Sequence, residues 1–186
     1  METSTTKQLF SKDDLKKLII PLLFEQALAI TVGMADTVMI SSAGEAAVSG
    51  VSLIDMFNNL IISVLAALAT GGAVVTSQFL GAGKKEDACK SAKQLIVSSV
   101  CITIGISILV MVFCNGIISL FFGKIEADVF HNAVIYMMIS ALSFPFLALY
   151  NSCAALFRSM GNSQITLKVS VVENIINIGG NALGVY

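Results

Sequence analysis

The sequence predicts an all-α membrane protein, a polytopic bundle of about five transmembrane helices, and composition is the first reason. Hydrophobic residues make up 56% of the 186 residues and charged residues only 12%, with a mean hydropathy of +0.87. Soluble domains carry about 25% charged residues. The second reason is that the apolar residues form runs long enough to cross a hydrocarbon core about 30 Å thick. The third is the position of the basic residues, since every Lys and Arg except Lys124 falls on one side of a five-span arrangement.

The first run is preceded by a polar lead-in, residues 1–17, where Ser11 followed by Asp14 predicts the N-cap of a short amphipathic turn. The first span carries two carboxylates, Glu25 and Asp36, and no basic residue. They are eleven residues apart, so at roughly 100° per residue both face the same way. A carboxylate in lipid costs on the order of 2.5 kcal/mol or more, so this face is predicted to line a protein interior or a wet cavity.

The remaining spans follow in order, separated by short polar turns. The second is longer than one crossing needs and has Asp55, Asn58 and Asn59 in its first third. The fourth contains Pro145, which predicts a kink, and the fifth is rich in Asn and Gly. The spans are predicted over residues 18–40, 46–80, 94–122, 129–157 and 164–186.

The basic residues also predict the orientation. The positive-inside rule places the N-terminus and the Lys-rich turns in the cytoplasm of a multi-pass cell-membrane protein. Residues 2–17 are polar and mixed in charge, and the apolar run behind them exceeds a signal-peptide core. The first span is therefore expected to remain in the mature protein.

The polar residues inside the spans are predicted to form two layers. Glu173, Asn177 and Asn181 recur every four residues and give the fifth span a polar stripe. At 1.5 Å per residue, Asp36 and Asn181 lie about 24 to 27 Å from the inner face, and Asp55 lies a turn or two from the outer face. The predicted outer layer comprises Asp36, Asp55, Asn58, Asn177 and Asn181, and the inner layer Glu25 and Glu173.

No Lys or Arg lies in the predicted core to pair with the four acids, Glu25, Asp36, Asp55 and Glu173. An unpaired carboxylate there must be protonated, hydrated or holding a cation, and each state suits coupling to protons or sodium ions. Carboxylate and amide oxygens suit a hard cation, which makes Asp36, Asn177 and Asn181 candidate sodium ligands.

Each of these residues also has a purely structural interpretation. Asp36, Glu25 or Glu173 would then be a protonated acid bonded to a neighbouring helix, and the Asn stripe would hold helices together. Asp55 would be a solvated residue at a helix end.

Several other classes of function are disfavoured. Four widely spaced cysteines and a single histidine make a zinc or disulfide framework unexpected. The spans show no pairing of nucleophile and base, so an enzyme is not expected. The segment 81–84 lacks the spacing of a phosphate loop. Apart from a coupling sodium ion or proton no cofactor is expected, and no nucleic acid is expected as a partner.

Four sequence segments together resemble the multidrug and toxic compound extrusion (MATE) family. They are ADTVMI at 35–40, QFLGAG at 78–83, RSMGN at 158–162 after the Pro-containing span, and Asn177 with Asn181 before Val185 and Tyr186. The resemblance implies twelve helices in two six-helix lobes. It also implies a secondary antiporter that exports organic cations and amphipathic compounds, including drugs, for sodium ions or protons. In that family the acid matching Asp36 is a central coupling residue, and residues matching Asn177 and Asn181 lie close to it. Some members have Asp where this chain has Asn181.

Five spans are one short of a six-helix lobe, so the chain is expected to be the amino-terminal part of a longer transporter. Its expected partners are small organic cations, the lipid bilayer and a carboxy-terminal lobe of the same transporter. One alternative is a non-transporting membrane fragment or assembly subunit. Another is a related flippase of lipid-linked saccharides. Such a flippase should carry basic residues in its cavity to hold phosphates, and this half has none there.

Overall fold

The computed structural model describes residues 12–41 and 44–185, with only the backbone described for Asp14 and residues 181–185. These residues form five α-helices and no strand, so the predicted all-α helix bundle is confirmed. The helices are α1 (Lys12–Ser41), α2 (Glu45–Gly81), α3 (Lys85–Phe122), α4 (Ala127–Ser159) and α5 (Ser163–Val185). Ser11, the predicted N-cap, lies outside the described residues.

Four of the helices, α1 to α4, are long and apolar enough to cross a membrane. The chain is therefore a multi-pass membrane protein. Helix α5 is continuous over 23 residues but is not among those four, because its polar stripe and Lys168 dilute its apolar residues. Its membrane span stays a prediction. The charged segment after Gly83 forms the first turns of α3.

Short connections make consecutive helices antiparallel. Gly123 (φ 66°) ends α3, and Gly161 (φ 80°) lies between α4 and α5. Both adopt a backbone conformation that L side chains rarely take. Helices α1, α3 and α5 thus begin at the end of the bundle that carries Arg158 and most of the lysines, hereafter the basic end. Lys124 lies at the opposite end.

Helices α2, α3 and α4 pack closely into a three-helix unit. Its core is a cluster of buried residues: Ile54, Val110, Cys114, Ile118, Ala133, Met137, Ala141 and Phe144. Gly50 lets α2 approach α4, since a Cβ there would lie 3.0 Å from both the Ala133 nitrogen and the Val129 oxygen.

Helices α1 and α5 pack mainly on each other and touch the three-helix unit less extensively. We call them the α1–α5 pair. The candidate site lies between this pair and the unit.

Non-helical backbone angles occur in α3, and the kink predicted at Pro145 stays a prediction. Pro145 lies inside α4, whereas the non-helical backbone angles occur in α3, at Phe113 (φ −103°, ψ 15°). Most large apolar side chains on the outside of the bundle are exposed, including Leu23, Val38 and Leu120. Such a surface suits a lipid environment.

Candidate functional site

A cavity of about 410 Å³, which we call the Asp36 cavity, lies toward the end of the bundle that carries Lys124, between the α1–α5 pair and the three-helix unit. All the helices except α3 contribute to its wall. The polar residues of the wall are Asp36, Thr37, Ser52, Asp55, Tyr136 and Asn177.

Helical periodicity explains how these residues reach one cavity. On α1 the wall residues Gly33, Asp36, Thr37 and Ile40 follow the i, i+3, i+4, i+7 pattern of a single helix face. On α2 the wall residues follow a similar spacing that ends at Asp55. Each helix therefore presents one acid to the same space.

Asp55 is fixed by a tyrosine that the sequence analysis did not single out. The Tyr136 hydroxyl donates a hydrogen bond to Asp55 Oδ1 at 2.9 Å, which joins α4 to α2 at the cavity wall. Tyr136 is also within electrostatic range of Asp36. The available signal was its depth, since Tyr136 lies ten residues into α4 and Asp55 eleven residues into α2, and these two helices run in the same direction.

No Lys or Arg lines this cavity among the described residues. Two carboxylates in a space with low-dielectric walls create a negative potential that concentrates cations. Carboxylate, amide and hydroxyl oxygens at Asp36, Asn177 and Thr37 are the donors that a hard cation prefers. The described residues contain no cluster of three or more His, Cys, Asp or Glu that could hold a metal ion. A sodium ion here would depend on amide, hydroxyl or carbonyl oxygens beside the acid.

The structure thus brings together three residues of the predicted outer layer, Asp36, Asp55 and Asn177. Asn58 lies apart from them, and its Nδ2 donates to Ser140 Oγ at 3.0 Å, which is a link between α2 and α4. Asn181 belongs to α5, but its side chain is outside the described part of the chain.

The predicted inner layer contains a basic partner, which corrects the sequence analysis. Arg158 Nη2 lies 3.3 Å from Glu25 Oε1 and donates a hydrogen bond to it. The expectation that no Lys or Arg pairs with the buried acids is therefore wrong for Glu25. The reason is reach: Arg158 lies just beyond the predicted fourth span, but in the structure it belongs to the last turn of α4, and its long side chain can extend the guanidinium toward the bundle interior.

Two further polar residues surround this ion pair. Tyr150 of α4 is within electrostatic range of Glu25, Arg158 and Glu173, and it lies near Ser170 of α5. Glu173 is itself within electrostatic range of Glu25. We call Glu25, Arg158, Tyr150 and Glu173 the Glu25 group.

Comparison with known proteins gives a consistent picture. Residues 21–183 match the family model described as MatE. A curated relative named "Uncharacterized transporter YisQ", from Bacillus subtilis (strain 168), is 31% identical over 166 residues, which are 89% of this chain and 36% of the relative. Another, "Probable multidrug resistance protein NorM" from Thermotoga maritima, is 25% identical over 172 residues, which are 90% of this chain and 36% of that protein.

A solved structure shares the arrangement of the helices. It is a MOP superfamily transporter from Pyrococcus furiosus, with a TM-score of 0.85 and 20% sequence identity, and the match covers 93% of this chain and 38% of that one. At this identity the likeness shows the fold alone. The present chain spans little more than a third of the length of the relatives it matches.

Proposed function

This chain belongs to the MatE family, and from that membership we propose that it forms the amino-terminal part of a secondary active antiporter. The antiporter exports organic cations or amphipathic compounds across the cell membrane in exchange for sodium ions or protons. Its N-terminus lies in the cytoplasm, and no enzymatic step is part of the proposal.

The observation that carries the proposal is the charge of the cavity. Asp36 and Asp55 both line it, and no basic residue does so among the described residues. A negative cavity attracts cationic cargo and cationic coupling ions. It does not suit the phosphates of a lipid-linked saccharide, which would need Arg or Lys. The relative from Pyrococcus furiosus is described as having a binding pocket of reverse polarity that suggests a different function, so pocket polarity is an informative property within this fold.

Exchange follows from competition for one carboxylate. Asp36 holds either the coupling ion or the cargo cation, since two cations beside one carboxylate in a low-dielectric space repel each other. Asn177 lines the same cavity, and we assign it, with Asn181, to the oxygen ligands of a sodium ion. Each ligand shifts the protein toward the conformation that it binds better, and this difference in affinity couples the two fluxes.

Alternating access requires a second half that moves against this one. We propose that a carboxy-terminal lobe of the same transporter supplies it, since the chain spans only 36% of its curated relatives.

The test is the substitution Asp36→Asn in the full-length protein, assayed in inverted membrane vesicles. Organic-cation-stimulated proton or sodium flux should fall to the level of empty vesicles, because an amide cannot alternate between ionised and neutral states. Membrane insertion should be unchanged. Asp87→Asn, in the first turn of α3 and outside the cavity, is the matched control and should retain flux. Wild-type flux in Asp36→Asn would overturn the proposal.

A further inference from the structure

A second cavity, of about 380 Å³, opens at the basic end of the bundle. It is lined by Leu18 in the second turn of α1, Ser77 and Leu80 near the end of α2, and Arg158 near the end of α4. The guanidinium of Arg158 also reaches Glu25 at 3.3 Å. Arg158 therefore lies between this basic-end cavity and a buried acid.

Glu25 is only half satisfied by this contact. The residue is 9% exposed, and its second oxygen, Oε2, is buried without a hydrogen-bond partner among the described residues. A buried charge needs both pairing and hydrogen bonds. The Arg158 side chain is 37% exposed, but its Nε is buried without a hydrogen-bond partner among the described residues. The guanidinium is therefore held at Glu25 by a single contact and lies at the boundary with water.

The Glu25 group repeats the composition of the Asp36 cavity. Each contains an acid of α1, a tyrosine of α4 and a polar residue of α5. Glu25 and Asp36 share one face of α1. Tyr136 and Tyr150 are fourteen residues apart, which places them within about 40° of each other on α4. Both groups thus lie along one seam between the α1–α5 pair and α4.

From this geometry we infer that Glu25 is a second cation-binding site, in series with the Asp36 cavity. Its ligand is an organic cation with an ammonium or guanidinium group. Arg158 occupies the site as a tethered cation until a ligand enters from the basic-end cavity and displaces it. The order of events rests on the proposed function, whereas the exchange at Glu25 is a binding event that can be measured without transport.

The exchange can be tested with ethidium as the organic cation, on the purified full-length protein at pH 8, by fluorescence anisotropy. If Arg158 leaves Glu25 free for about a tenth of the time, the apparent Kd for a cation at Glu25 is about tenfold weaker than the intrinsic Kd. We therefore expect Arg158→Gln to strengthen ethidium binding about tenfold. Arg158→Lys keeps a tethered cation and should resemble the wild type, and Glu25→Gln combined with Arg158→Gln should lose the gain. An unchanged Kd in folded Arg158→Gln, or a gain that persists without the Glu25 carboxylate, would overturn the inference.

A second measurement uses the wild-type protein and so does not depend on how the variants fold. Arg158 is the one arginine in this sequence, so its modification by phenylglyoxal can be followed on its own peptide by mass spectrometry. Ethidium should increase this modification, because it releases the guanidinium from Glu25. If ethidium left the extent of Arg158 modification unchanged or lowered it, the displacement of Arg158 would be contradicted. Asp36→Asn should show the same increase, so a failure of the proposed antiport leaves this readout intact.

Discussion

At the scale of single residues, the hydrogen bond between Tyr136 and Asp55 separates two roles that one side chain can play. Asp55 contributes a charge to the cavity and also accepts a bond that ties α2 to α4. Asp55→Asn removes the charge but keeps an oxygen that can accept the hydrogen bond from the Tyr136 hydroxyl. Tyr136→Phe removes the bond but keeps the charge.

We therefore expect opposite profiles from these two substitutions. Asp55→Asn should weaken the apparent affinity for an organic cation several-fold with little change in thermal stability. Tyr136→Phe should lower the free energy of unfolding by about 1–3 kcal/mol, since it leaves a carboxylate oxygen without its donor. Transport assays and thermal melting in detergent measure the two effects. Ser140→Ala, which removes the acceptor of the nearby bond from Asn58, is the control that should affect stability alone. Equal losses of affinity in Asp55→Asn and Ser140→Ala would argue against a role for the Asp55 charge.

Residue patterns predicted which acids share a helix face but could not predict their partners. The spacing of Glu25 and Asp36 on α1 was readable because helical geometry is regular. The Arg158 contact to Glu25 spans 133 residues and depends on how α1 and α4 pack, which no local pattern encodes. Tyr136 is a similar case, because its depth in α4 matches that of Asp55 in α2, but only the packing of the two helices decides that the side chains meet.

At the scale of helices, the contact between α2 and α4 depends on one glycine. A Cβ at Gly50 would meet two backbone atoms of α4 at 3.0 Å. Backbone atoms cannot rotate away as a side chain can, so α2 and α4 would have to separate. Their separation would disturb the core around Ile54 and Ala133.

Gly50→Ala should therefore destabilise the bundle by about 1–3 kcal/mol, the usual range for overpacking. Thermal melting of the detergent-solubilised protein, followed by size-exclusion chromatography, measures the loss. Gly71→Ala lies on the same helix, and no atom outside that helix comes within 4 Å of the added Cβ. It is the matched control and should melt at or slightly above the temperature of the wild type, since Ala favours a helix over Gly. If the two variants had the same melting temperature, Gly50 would not determine how closely α2 approaches α4.

Helix positions were predictable because apolar runs of this length are unambiguous. The structural helices extend beyond the predicted spans at several ends, and most clearly at α3, which begins at Lys85 and not at residue 94. Hydropathy marks where a helix meets lipid, whereas hydrogen bonding decides where it ends, so charged turns can continue a helix outside the membrane. The break at Phe113 was not predictable, since no Pro or Gly occupies that position.

At the scale of the whole molecule, the two ends of the bundle differ in charge, and the two groups of helices differ in how closely they pack. The Asp36 cavity lies toward the end that carries Lys124. Arg158 and the basic-end cavity lie at the basic end. The α1–α5 pair bounds the Asp36 cavity from one side, and its contacts with the three-helix unit are fewer than those within the unit. A small movement of this pair would change access to both cavities, which is the property that an exchanging transporter needs.

This polarity gives a direct test of membrane orientation. The positive-inside rule predicts that the basic end faces the cytoplasm and that Lys124 faces outward.

Cys89, which is exposed in the first turns of α3, reports on the basic end. A cysteine replacing Lys124 reports on the other end. In full-length protein from which every other cysteine has been removed, a membrane-impermeant maleimide should label Lys124→Cys in intact cells, and should label Cys89 only after permeabilisation. The reverse pattern would place Arg158 and its cavity outside the cell. Cargo would then meet the Asp36 cavity first from the cytoplasm, and Glu25 would become the exit site of an exporter.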